Sequence, residues 1–143
     1  MQVIGFTFTK ISGEKKENFT SSVKNINLGF ENITEEKIEM LKDEKAIKIT
    51  FTYSVKYNEP TKDKEKKEGK LLGEISIHGE IILMLTKEES KEILKNWEDK
   101  KISQDLQIHL YNIIFKKTTP KVVYLADEIN LPSPVPIQKI QKQ

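Results

Sequence analysis

Between residues 47 and 57 apolar and polar side chains alternate without exception. Ile47, Ile49, Phe51, Tyr53, Val55 and Tyr57 stand against Lys48, Thr50, Thr52, Ser54 and Lys56. A period of two with one apolar and one polar row predicts an antiparallel strand with one buried and one wet face. A slip of one residue would expose the whole apolar row, so the register is strongly specified. The same period recurs at residues 4–11, where Ile4, Phe6 and Phe8 alternate with Gly5, Thr7 and Thr9, and at residues 23–30, where Ile26, Leu28 and Phe30 share a face. A fourth strand is expected over residues 71–85, with Ile75, Ile77, Ile81, Leu83 and Leu85 in one row. Gly79 falls in that row and predicts a bulge or a close backbone approach. Ile82 and Met84 make the other face apolar near the strand's end, so a cover on both sides is expected there.

The connections differ in character. The residues from Asn32 to Leu41 suit a short helical turn capped by Asn32 or Thr34. Residues 59–70 mix five lysines with four acids and read as a solvated hairpin loop. After Leu85 the period changes. Thr86-Lys-Glu-Glu89 is a capping box opening a helix with Ile93, Leu94 and Trp97 on one stripe. Ser103 caps a second helix with Leu106, Leu110, Ile113 and Ile114 on one side. Thr119-Pro120 has the form of a new cap, yet Val122, Leu125 and Ile129 continue the stripe in nearly the same phase. One long helix and two stacked ones are both admissible, and the phase favours the long one. Leu131-Pro-Ser-Pro-Val-Pro-Ile137 then reads as extended and polyproline-like.

Composition narrows the class. A chain of 143 residues suits one domain, but 36% apolar against 32% charged residues is a lean core, which points to burial by assembly. There is no cysteine, so disulfide and thiolate chemistry is excluded. No run is long and apolar enough for a membrane helix, and the opening Met1-Gln-Val-Ile-Gly lacks the basic and apolar regions of a signal peptide. A cytoplasmic protein without membrane insertion is expected. All 24 basic residues are lysine and the formal charge is +2. Without arginine, the residue that reads guanine edges bidentately, specific nucleic-acid recognition is not expected.

Candidate chemistry is sparse. Glu74, Ser76, His78 and Glu80 share the wet face of the fourth strand, where His78 between carboxylates has the makings of a base or a metal ligand. Ser76 and His78 are about 7 Å apart at Cα, too far for nucleophile–base contact unless the side chains reach. His109 has no ligand partner near it in sequence. No phosphate loop, dinucleotide fingerprint or Cys/His cluster is present. No enzyme activity, metal or cofactor is expected.

Four antiparallel strands, a shorter helix, a long helix and a proline-containing exit is an order that resembles the SecB family of protein-export chaperones. The residues 47–57 look like that family's long third strand. Gly73-Glu-Ile-Ser-Ile-His-Gly-Glu-Ile-Ile-Leu83 is similar to its fourth, Leu110-Tyr-Asn-Ile-Ile-Phe115 to the approach to its main helix, and Leu125-Ala-Asp-Glu-Ile-Asn-Leu-Pro132 to the helix exit. The resemblance spans nearly the whole chain as a single SecB-like domain, residues 1–143. It implies an α+β fold, a four-stranded antiparallel sheet with a long C-terminal helix preceded by a shorter one. It also implies a homotetramer built as a dimer of dimers, and a molecular chaperone (a holdase, independent of ATP) that binds unfolded or precursor polypeptides in protein transport. Only a dozen residues follow Leu131, without helical pattern, where SecB-like chaperones carry a second long helix and a motor-binding tail. The expectation of a holdase stands, and that of a motor partner weakens.

Client binding needs apolar surface beyond the monomer's own core. The candidates are Phe19, Phe30, Ile82, Met84, Trp97, Tyr111, Phe115, Tyr124, Val135 and Ile137. Ordinary core or subunit interface is the alternative for each. Trp97 stands apart because its helix is otherwise short and charged. A structural or adaptor subunit whose apolar patches serve one fixed protein partner is the second reading of the same surface.

Overall fold

The computed structural model describes residues 1–39, 43–61 and 69–141. Four strands, β1 (Gln2–Lys15), β2 (Val23–Glu36), β3 (Glu44–Asn58) and β4 (Leu71–Thr86), precede two helices, α1 (Lys87–Glu98) and α2 (Gln104–Glu128). The sheet is wholly antiparallel with order β1-β4-β3-β2. The α+β architecture expected above is therefore present. β3 and β4 are central, so their apolar rows are buried from both flanks: Ile47 to Tyr57 and Ile75 to Leu85 are at most 3% exposed. β1 and β2 are the two edges, although they follow each other in sequence. The connecting residues 16–22 cross the end of the sheet, where Phe19 lies 6.5 Å from the Tyr57 ring.

Three interruptions re-aim the edge strands. In β1 the register shifts between Val3 and Gly5 and again between Phe8 and Lys10. Val3, Phe6, Phe8 and Ile11 thereby pair with Leu83, Ile81, Gly79 and Ile77. Ile4 drops out of the row expected for it and is 42% exposed, because it is the extra residue of the first bulge. In β2 the shift lies between Phe30 and Asn32. It allows Ile26, Leu28 and Phe30, then Ile33, to face the helices. The helical turn expected at Asn32 is overturned: β2 runs on to Glu36, because Ile33 is buried at 4% beside Ile49. Ladder pairing and a buried isoleucine outweigh a local capping preference. The rest of that segment from Met40, and residues 62–68 of the charged loop, lie outside the described residues.

The glycine in the core row marks a close approach. A Cβ on Gly79 would stand closer than 3.0 Å to the Phe51 ring and to the Thr7 carbonyl oxygen. The bulge expected there is on the opposite strand, directly after Phe8, the partner of Gly79.

Both helices cover one face of the sheet. Thr86 and Glu89 form the expected capping box of α1. α2 is continuous through Pro120, as its phase required. The proline is exposed, so the carbonyl it deprives of a partner can turn to water. α2 buries a single ridge at spacing four, Leu106, Leu110, Ile114, Thr118, Val122 and Ala126. The Thr118 hydroxyl is satisfied by donating to the Ile114 carbonyl at 2.8 Å. A ridge this narrow leaves apolar flanks outside: Ile108 is 52%, Phe115 39% and Tyr124 63% exposed.

The end of α2 fixes the chain's exit. Asn130 adopts φ 56°, and the Asn130 and Leu131 amides donate to the Asp127 and Ala126 carbonyls. This Schellman turn buries Leu131 against the sheet. The Tyr57 hydroxyl donates to the Pro132 carbonyl at 2.6 Å, and Lys24 Nζ to the Ser133 carbonyl at 2.9 Å.

Burial pushes the Tyr57 phenol up to about 12, with the neighbouring Tyr53 adding to the shift. The folded chain thus keeps a proton that the unfolded chain releases near pH 10. This contribution is intact below pH 10 and is lost as pH rises from about 10 to about 12. We expect a loss on the order of 2 kcal/mol from this group. Urea midpoints across that range should fall less steeply in Tyr57→Phe than in the parent chain, and equal slopes would remove the assignment.

Candidate functional site

Along the helix-side face of β2, aromatic side chains form a continuous strip. Phe30 stacks on Tyr111 at 5.3 Å between centroids, Tyr111 meets Phe115 edge-on at 6.3 Å, and Phe115 meets Tyr53 at 6.1 Å. Local chemistry explains the strip. Phe30 is the last residue before the bulge and so still faces the helices. Tyr111 and Phe115 are one turn apart on the flank of α2 nearest β2. The Tyr111 hydroxyl donates to the Leu28 carbonyl at 3.3 Å and accepts from Gln107 Nε2 at 3.0 Å, so the ring is held from both sides.

Trp97 closes one end. Beside it lies a cleft of about 390 Å³ lined by Phe30, Glu31, Trp97, Lys100, Ile102 and Gln107. α1 ends in a Schellman turn with Lys100 at φ 56°, a left-handed conformation that a lysine adopts only at a cost. That turn sets Lys100 Nζ 4.7 Å above the Trp97 ring. The indole N–H is buried without an acceptor among the described residues, an arrangement that costs about 1–3 kcal/mol. At the other end of the strip, Ile26 on β2 is 43% exposed. The cleft beside Trp97 thus meets the aromatic strip that follows β2, and among the described residues no other strand pairs with the outer edge of β2.

A second cavity of about 350 Å³ lies on the far side of Ile102, between α1 and the start of α2. Ile93 and Leu106 line it together with Glu89, Glu92 and Asp105, and His109 stands at its wall. Three carboxylates around a small apolar floor make it a poorer seat for an extended apolar chain.

Four of the ten residues singled out in the sequence, Phe30, Trp97, Tyr111 and Phe115, thus come together. The others are elsewhere. Phe19 packs at the opposite end of the sheet, half-buried near Tyr57. Ile82 and Met84 are half-buried on the outer face, and Ile82 lies close over Gly5. Tyr124 is exposed near the end of α2, and Val135 and Ile137 belong to the exit segment. Lys100 and Gln107, which shape the cleft and hold Tyr111, carry no pattern in the sequence that marks them. Their roles depend on a turn conformation and on a contact across α2.

On the outer face, Ser76 Oγ lies 3.3 Å from His78 Nε2, so the side chains do bridge the separation that their Cα spacing suggested. His78 Nδ1 is 3.6 Å from Glu31, which also accepts from Thr52. The connectivity is that of a nucleophile, base and acid, but Ser76 and His78 stand on the outer sheet face, and only Glu31 also lines the cleft beside Trp97. The cluster ties β4 and β3 to the bulge of β2. Among the described residues no group of three His, Cys, Asp or Glu side chains is placed to hold a metal ion. No described helix is long and apolar enough to cross a membrane.

No protein-family model matches the chain, and no curated protein matches it significantly. Among solved structures it is similar to a SecB-like chaperone of Mycobacterium tuberculosis, Rv1957, in complex with a ChAD peptide from the HigA1 antitoxin. The two are 11% identical over 99% of this chain and 91% of that one, with a TM-score of 0.48. At that level the finding stands as a likeness alone.

Proposed function

We propose that this protein binds apolar segments of non-native polypeptides, as a chaperone of the holding type, in the groove between β2 and α2. The observation that carries the reading is the placement of the Phe30–Tyr111–Phe115 strip beside the outer edge of β2, with which no described strand pairs. An unfolded segment carries apolar side chains and unpaired backbone groups. A groove with aromatic walls takes the first, and a strand edge takes the second. Each well-buried anchor contributes about 1–3 kcal/mol, and none of the contacts demands a particular sequence. Release then needs no nucleotide, since affinity at one shallow site is modest.

The test is suppression of aggregation. An unrelated chemically denatured protein, diluted into buffer with an equal molar amount of this chain and no nucleotide, should remain soluble as judged by light scattering. If unrelated proteins aggregate at the same rate with and without it, the holdase reading is lost, and a fixed-partner adaptor becomes the better account of the groove. The groove then retains its geometry but serves one ligand. Solution mass measured alongside decides whether the tetramer expected from the resemblance forms.

A further inference from the structure

The chain itself carries a segment suited to the groove. Residues 131–141 leave α2 at the Lys24 end of the groove, on the face that carries the aromatic strip. Leu131 and Pro134 are buried there, while Ile137 is 61% and Ile140 102% exposed. Such full exposure of isoleucine in a segment that begins inside a core is unfavourable wherever an apolar seat is within reach. Prolines at 132, 134 and 136 exclude a helix and hold the backbone near polyproline geometry. That geometry repeats every three residues, so Pro134, Ile137 and Ile140 form one apolar edge. Pro136 and Lys139 form another edge, and Val135, Gln138 and Gln141 the third.

The lengths agree. Six steps of polyproline, from Pro134 to Ile140, span about 19 Å. Six steps of strand, from Lys24 to Phe30, span about 20 Å. With the Ser133 carbonyl held by Lys24, Ile137 falls between Ile26 and Leu28, and Ile140 close to Phe30 and Tyr111. Aromatic-lined grooves are suited to ribbons of this kind, whose extended form is largely preset. We propose that residues 135–141 fold back along the β2–α2 groove as an internal competitor, which a client must displace. The proposal deepens the chaperone reading and rests on it for its consequence, though not for its geometry.

Two measurements separate the two. The chain has one tryptophan and no cysteine. A Gln141→Cys variant carrying a dansyl group therefore reports proximity of this segment to Trp97 by energy transfer, with no client present. Transfer should be strong in the full chain and should fall at least twofold when Ile137→Ser and Ile140→Ser are added. Unchanged transfer overturns the proposal, and so does transfer that grows with protein concentration, which would place the segment in a second copy. Separately, the chain shortened after Ser133 should bind a fluorescein-labelled apolar peptide about two- to tenfold more tightly, the range expected for a weak tethered competitor. Equal affinities overturn the internal competitor. If neither form binds the peptide while energy transfer behaves as expected, the docking stands and the chaperone reading falls.

Discussion

The double substitution Phe30→Ala and Tyr111→Ala is expected to weaken binding of a labelled apolar peptide by at least tenfold. The two rings stack 5.3 Å apart and make up the middle of the groove, with Phe115 beyond. A tenfold loss corresponds to about 1.4 kcal/mol, within the range of a single well-buried aromatic anchor. The loss should exceed that figure because both walls disappear together. Tyr111→Phe separates wall from tether. It keeps the ring and removes only the hydroxyl that donates to the Leu28 carbonyl and accepts from Gln107. Its effect on peptide affinity should stay within about threefold, in line with one net hydrogen bond at a partly exposed site. Fluorescence anisotropy gives both numbers, and far-UV circular dichroism shows whether the sheet survives. A double variant that stays folded and binds within twofold of the parent would move the site away from this groove.

Gly79→Ala is expected to destabilise the fold by about 2–4 kcal/mol, at the upper end for overpacking a core. The added methyl meets the Phe51 ring and the Thr7 carbonyl oxygen at less than 3.0 Å. Neither can retreat. Phe51 is fully buried in the central strand, 5.5 Å from Phe6, and Thr7 is held in the ladder by its pairing with Glu80. Urea denaturation of the variant should show a lower midpoint with an unchanged slope. Adding Phe51→Leu to Gly79→Ala should recover part of the loss, because a smaller side chain vacates the space. That recovery measures the coupling between the two positions. A cost below about 1 kcal/mol for Gly79→Ala would mean that the ring is not fixed over the glycine.

The strands most legible in the sequence were the ones whose burial is symmetrical. β3 and β4 each lie between two neighbours, so a single apolar row serves the core along their whole length, and period two reads it directly. The edge strands were legible only in part. Bulges at Ile4, after Phe8 and at Glu31 change which residue faces inward, and a bulge answers to the partner strand's register. The continuation of β2 past Asn32 failed for the same reason, since Ile33 gains its burial from Ile49 across the ladder. The helices could be read from caps and phase, including passage through Pro120, because the apolar stripe resumed without a break.

The aromatic residues of the groove were visible one by one, but nothing local distinguished Phe30 and Tyr111 from Phe19 or Tyr124. All are aromatic side chains near strand ends or on helix flanks. By itself the sequence determined the α+β class, the central register and the places where helices begin, because alternation and capping are written within a few residues. Only the tertiary structure decided which aromatic residues meet, which strand edge stays open beside them and where the exit segment leaves. Those depend on strand order and on the path of residues 16–22 from one edge to the other. Contacts between residues some eighty positions apart, such as Tyr111 on Leu28, follow from topology rather than from any short-range preference.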